Sequence, residues 1–356
     1  MTKLNEKRLI NDVRCLALDM IHEAGSGHPG IALGAAPLLY TLFTYHLNID
    51  LNKSNWCNRD RFVLSCGHAS SLLYALEFFV DESKYNLNDL KNYRNIYSKT
   101  PGHPEYNLEN KIDVTTGPLG EGVATAVGMS MAGKYLESYY SDKKSSLFDY
   151  YVYAMVSDGD LMEGVSYEAA CLATQYQLDN LILLYDCNGV SLDGEIDENY
   201  IDSIANVYAD IGFATYYVKN GESVKEINKA INAAKRASGP AIVIVNTTIG
   251  KYSKYEGTNK IHGTLENDDY LEIKKELGHE EKWEYDKNNT AMYRQEIKNR
   301  LEDNYKDWFN LYEEFSANLD EKQMNTLNSI INNESITLQL DKVIDMDKLF
   351  TDRDLR

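Results

Sequence analysis

The residues best suited to chemistry sit in short glycine-rich stretches. The densest reads Ser157-Asp158-Gly159-Asp160-Leu161-Met162-Glu163-Gly164. A helix-like run follows, and then an apolar run closing in Tyr185-Asp186-Cys187-Asn188-Gly189-Val190. Asp158 offers a carboxylate, Asn188 an amide oxygen and Val190 a backbone carbonyl. Such a donor set suits a hard cation, because Mg²⁺ takes an octahedron of oxygens and usually draws the rest from phosphate and water. Gly159 allows a sharp turn, and a helix start just beyond it favours an anion. A bare Asp-Gly pair is equally a surface turn. D-G-D-x-x-E-G after one apolar run and D-x-N-G after the next is a far more specific pattern.

Histidines form a second set. Three of the seven are framed by Gly or Pro: Gly27-His28-Pro29, Gly67-His68 and Gly102-His103-Pro104. His262 precedes Gly263. Any one of these reads equally as a turn histidine. Several imidazoles held on rigid loops point instead to a polar, proton-handling pocket. Thr115-Thr116-Gly117-Pro118-Leu119-Gly120-Glu121-Gly122 then opens a helix, which suits phosphate or close ring contact. It matches neither the Walker loop nor the G-x-G-x-x-G fingerprint, so NAD binding has little support.

These loops need elements to hold them. Val/Tyr-rich runs at 62–65, 151–156, 181–185, 213–218 and 241–246 read as buried strands. Helical periodicity covers 4–24, 31–47, 72–80, 122–140, 164–177, 200–209 and 223–237. The alternation predicts an α/β fold with a mostly parallel sheet, whose ligands bind at the carboxyl ends of the strands. From 266 to 340 the chain is charged and predicts helices packing back on the sheet, with an aromatic stripe at Tyr305, Trp308, Phe309, Tyr312 and Phe315 as core or partner contact. Residues 341–356 read as a linker.

The composition narrows the partners. A net charge of −19 argues against nucleic acid or an anionic membrane, both polyanions. Five cysteines without a CxxC pair predict reduced thiols and a cytoplasmic location. The N-terminus lacks the apolar stretch of a signal peptide, and no run is long enough to span a membrane.

Taken together and in order, GSGHPG (25–30), RDRFVLS (59–65), GHASSLLY (67–74), SKTPGHPE (98–105), TTGPLGEG (115–122), DGDLMEG (158–164), YDCNGVSLDG (185–194), and TTIGK with GTNKIHG (247–263) resemble the N-terminal, diphosphate-binding domain of transketolase. The resemblance implies a three-layer αβα thiamine diphosphate-binding fold over 1–265 with a helical extension over 266–340. It implies thiamine diphosphate as cofactor with Mg²⁺, or Ca²⁺ or Mn²⁺, held by Asp158, Asn188 and the Val190 carbonyl. Gly117, Leu119, Gly159, Leu192 and Ile249 match cofactor contacts, with Asp158, Asn188, His68 and His262. His28, His68, His103 and His262 match catalytic histidines, and Glu163 an acidic residue at a subunit interface. The implied reaction moves a two-carbon ketol unit from a ketose phosphate to an aldose phosphate, in the pentose phosphate pathway, by a cytoplasmic homodimer.

Several positions depart from the family pattern. Ser157 replaces a glycine, Glu121 stands where glutamine is common, and Cys66 where asparagine is common. Thr264-Leu265-Glu266 follows His262-Gly263 in place of Ala-Pro-Leu-Gly. The family's pyrimidine-binding and C-terminal domains are not in this chain. It is expected to be inactive alone, either a truncated piece, which the linker-like tail favours, or one subunit of a split enzyme. The alternatives are a non-catalytic assembly module and a subunit of another thiamine diphosphate-dependent enzyme.

Overall fold

A computed structural model describes residues 4–142, 145–191, 194–195, 198–263, 265–332 and 334. In chain order the helices are α1 (Glu6–Ala24), α2 (Pro29–Gly34), α3 (Ala36–Tyr45), α4 (Ser70–Val80), α5 (Leu87–Lys91), α6 (Glu121–Tyr139), α7 (Asp158–Met162), α8 (Gly164–Gln175), α9 (Glu198–Asp210), α10 (Val224–Ala234), α11 (Asn267–Glu276), α12 (Lys287–Leu301), α13 (Asn304–Ser316) and α14 (Glu321–Ile331). The strands are β1 (Arg61–Leu64), β2 (Val152–Ser157), β3 (Leu181–Cys187), β4 (Val190–Ser191), β5 (Gly194–Glu195), β6 (Ala214–Val218) and β7 (Ala241–Asn246).

Five strands form one sheet in the order β1-β2-β3-β7-β6, every neighbouring pair parallel. A parallel sheet buries both faces, and the strand sequences meet that demand. On β2, Tyr153 and Met155 join one core, while Val152, Ala154 and Val156 join the other. On β7, Ala241, Val243 and Val245 face the first core and Ile242 and Ile244 the second. The first core also takes residues of α1, α3, α4, α10 and α12. The second takes residues of α6, α8, α9, α13 and α14. The result is the three-layer αβα arrangement.

The aromatic stripe of α13 lies on the second core. Trp308 is buried and donates from Nε1 to the Leu147 carbonyl at 2.9 Å, while Tyr305, Tyr312 and Phe315 pack beside it. Segment 265–290 is tied to α1 by buried polar bonds: Lys274 Nζ to Asp19 (2.6 Å) and His279 to Asp12 (2.7 Å).

Two expectations need correction. The helix expected over 31–47 is two helices that break at Ala35, after Pro29–Gly34. Pro37 enters the first turn of α3, where its missing N–H is tolerated, and the restart follows. Asp158-Gly159-Asp160 is the first turn of a short helix, α7, rather than an open turn. Gly159 serves there by lacking a side chain: a Cβ would sit 2.8 Å from Leu119 Cδ1. No disulfide joins the five cysteines, and four of them are buried. Among the described residues no helix is long and apolar enough to cross a membrane. The segment 341–356 lies outside the described residues.

Candidate active site at the carboxyl edge of the sheet

Four parallel strands deliver their following loops to one edge. β1 leads to Ser65-Cys66-Gly67 and a short 3₁₀ turn, Gly67–Ala69, carrying His68. β2 leads to Asp158 at the start of α7, β3 to Asn188, and β7 to Thr247-Thr248-Ile249. His28 caps α2 and His262 follows the turn Asn259–Ile261. Their side chains meet in a cleft of about 830 Å³ lined by His28, Ile31, His68, His103, Gly117, Leu119, Ser157, Gly159, Asn188, Val190, Ile249 and His262.

The four histidines form one cluster. The His28 ring centroid lies 5.1 Å from that of His68, 5.6 Å from His262 and 6.5 Å from His103. His68 and His262 stack at 5.6 Å. Ser70 fixes part of this geometry: its hydroxyl donates to the Gly102 carbonyl at 2.7 Å and meets the Tyr93 hydroxyl at 2.9 Å. One serine thus links the helix after His68 to the loop before His103. Burial and mutual repulsion push His28 down to about 4 and His68 down to about 3; burial also lowers His103 and His262. At neutral pH these imidazoles are uncharged, each with one donor and one acceptor nitrogen. Nδ1 of His28 and of His262 is buried without a partner among the described residues.

On the other side of the cleft lies the oxygen set. Asp158 is only 1% exposed. Its carboxylate accepts from the Tyr185 hydroxyl and, at 3.4 Å, from the Asn188 amide N–H. Burial raises its carboxyl above the usual range and these bonds pull it back. The Asn188 side-chain N–H₂ donates to Asp186 at 2.9 Å, and Asp186 accepts also from the Thr247 hydroxyl. The amide is therefore fixed, with its oxygen turned toward the Val190 N–H (3.1 Å). A buried carboxylate with no cationic side chain beside it is costly. A dication bound by Asp158, the Asn188 oxygen and the Val190 carbonyl removes that cost, so the donor set fits a hard metal. Among the described residues no cluster of three or more His, Cys, Asp or Glu side chains offers an alternative metal position.

Most of the site residues expected from the sequence therefore share this cleft or its floor. Glu163 does not: it is exposed at the junction of α7 and α8. Leu192 lies outside the described residues.

Asp160, the second carboxylate of the D-G-D motif, joins three loops. Its carboxylate accepts from Ser65 Oγ (2.6 Å), Gly120 N (3.1 Å), Ser157 N (2.9 Å) and Ser157 Oγ (2.9 Å). The Ser157-x-x-Asp160 spacing is a capping box, and that signal is present in the sequence. It also explains Ser157, whose hydroxyl does work a glycine cannot. Tyr185 carried no signal, because its partner Asp158 is 27 residues away, and the D-x-N-G pattern that contains Asp186 did not foretell its bond from Thr247, 61 residues on.

A doubly wound parallel sheet with buried oxygen donors and a histidine cluster at its carboxyl edge defines an α/β domain of the kind that binds ligands at that edge. Comparison with known proteins narrows this. The family described as transketolase, thiamine diphosphate binding domain, matches residues 5–335. A probable transketolase of Streptococcus pneumoniae is 43% identical over 279 residues, 78% of this chain and 42% of that protein. The transketolase of Staphylococcus epidermidis is 40% identical over 311 residues, 86% of this chain and 47% of its own. Among solved structures, transketolase from Leishmania mexicana superposes with a TM-score of 0.85 at 34% identity, covering 94% of this chain and 50% of that one. A Pichia stipitis transketolase in complex with sedoheptulose 7-phosphate gives 0.87 at 34% identity, with the same coverage. The chain belongs to the transketolase thiamine diphosphate-binding domain family. It spans about half the length of the relatives it matches.

Proposed function

We propose that this chain is the half of a transketolase that holds the diphosphate of thiamine diphosphate through a divalent metal. The buried Asp158 carboxylate, between Ser157 and Gly159 of the cleft that also holds the four histidines, carries this reading. Asp158, Asn188 and the Val190 carbonyl bind Mg²⁺, or Ca²⁺ or Mn²⁺ in its place. Gly117, Leu119, Gly159 and Ile249, with His68 and His262, line the cofactor's berth. Bound there, thiamine diphosphate supplies the carbanion chemistry that amino-acid side chains lack. His28, His68, His103 and His262 bind hydroxyl and carbonyl oxygens of a sugar phosphate. Being uncharged, they also take and return protons at their ring nitrogens.

The substrates are a ketose phosphate donor and an aldose phosphate acceptor, in the pentose phosphate pathway of the cytoplasm. A pyrimidine-binding domain, in the same polypeptide or a separate one, completes the site, and the chain alone is inactive. Residues 1–265 form the diphosphate-binding unit, 266–340 its helical extension and 341–356 the connection to that partner. The working form is a homodimer, with Glu163 at the interface. Exposed Met162 and Val165 on either side of Glu163, with exposed Tyr135 and Tyr139 on α6, support this.

Calorimetric titration of thiamine diphosphate into the chain with Mg²⁺ tests the proposal. Binding is expected, weakened at least about 100-fold by Asp158→Ala, with the ligand-free chain still unfolding cooperatively although the Tyr185 hydroxyl loses its partner. Ketol transfer is expected to appear on adding the pyrimidine-binding half. No binding at millimolar cofactor, and no activity in the reconstituted mixture, would sink the reading.

A further inference from the structure

Arg94 stands apart from every role assigned above. Its backbone is in the left-handed region (φ 63°), uncommon for a non-glycine residue. The conformation is held by the bond from its N–H to the Thr100 carbonyl at 2.9 Å, which closes the 94–100 loop. The guanidinium packs directly behind Gly102: a Cβ there would lie 3.1 Å from Cζ and 3.2 Å from Nε. It also covers the Tyr93 ring, 5.5 Å from the centroid. Nε and Nη2 are buried without a hydrogen-bond partner among the described residues.

A half-buried, permanently charged group with two idle donors is expensive to keep. Strained backbone and unpaired buried donors together point to use rather than packing. Gly102 precedes His103, so Arg94 sits at the back of the loop that carries that histidine. Its charge acts on two members of the cluster, His28 and His103. The other titratable groups acting on His28 are His262 and His103. All are basic, so nothing among them offsets the guanidinium.

We propose that Arg94 is a positioning residue of the cleft: its guanidinium braces the 101–105 loop from behind Gly102 and holds a fixed positive charge beside His28 and His103. An uncharged imidazole retains the lone pair needed to accept a proton from a sugar hydroxyl, whereas an imidazolium has none. The functional meaning rests on the reading proposed above; the electrostatic coupling does not.

Histidine ¹³C NMR of the whole chain tests the coupling, with pH lowered as far as the fold holds. In Arg94→Gln the protonation midpoints of His28 and His103 are expected to rise by roughly 0.5–1 unit, as loss of one nearby charge dictates. Arg94→Lys should stay near the parent, and His46, at the C-terminal end of α3 and not acted on by Arg94, should not move. Unchanged midpoints, or equal shifts in every histidine, would overturn the proposal. Should Arg94→Gln not fold, Arg94→Met and Arg94→Lys decide it: equal midpoints refute the coupling, and higher ones in the Met variant support it. This readout needs no cofactor, so failure to bind thiamine diphosphate and failure of this coupling are separable.

Discussion

Asp160→Asn isolates what holds the cleft together. All four groups facing this carboxylate are donors: two serine hydroxyls and the backbone N–H groups of Gly120 and Ser157. The hydroxyls can rotate and accept, but the N–H groups cannot. One backbone N–H bonds each carboxylate oxygen, so either orientation of an asparagine sets its N–H₂ against one of them. That leaves one buried N–H unpaired, at about 1–3 kcal/mol, and weakens the remaining charge-assisted bonds. The sum is about 3 kcal/mol. At about 2.1 cal/mol/K per residue, 356 residues unfold with an entropy near 0.75 kcal/mol/K, so the midpoint falls by about 4 °C. Differential scanning calorimetry of the ligand-free chain measures this. Because the same carboxylate ties Gly120, next to Leu119, to Ser157, next to Asp158, cofactor affinity should fall as well. A variant melting within about 1 °C of the parent would refute the claim that Asp160 must accept from both sides.

Stability should also depend on the histidine cluster. His28 and His68 fall from 6.5 in the unfolded chain to about 4 and about 3 in the folded one. At these two sites the unfolded state then binds more protons, so their contribution to stability is lost as pH falls from about 6.5 toward 4, against the opposite contribution of buried Asp60, Glu77 and Asp186. Urea unfolding at a series of pH values should show this slope, flatter in His68→Gln; an identical slope would exclude the cluster as its source. Lys274→Met should cost about 3–5 kcal/mol, because it strips a buried partner from Asp19, which sits 2.6 Å from Nζ. Urea midpoints measure it, and a neutral result would mean that Tyr270 and Trp283, which also donate to Asp19, suffice.

Local pattern carried much of this protein. Most strands of the large sheet were legible because a parallel sheet is covered on both faces, and runs such as 181–185 are apolar throughout. Asp158, Asn188 and the framed histidines were legible because glycine and proline mark rigid loops at strand ends. The break at Ala35 was less visible, since α2 is wholly buried, α3 nearly so, and apolar residues run across the gap. The helical start at Asp158 was hidden by glycines that read as a turn.

What the sequence alone determined is the inventory: which loops follow which strands, and which side chains they carry. Tertiary structure decided the rest, because it depends on pairs far apart in the chain. Asp186 orients Asn188 only with Thr247 in place. Asp160 becomes a clasp only when the turns at 65 and 120 meet it. Arg94 acquires a role only because its guanidinium lies behind Gly102. Burial, which sets the charge of every histidine in the cleft, is a property of the assembled layers and of no segment within them.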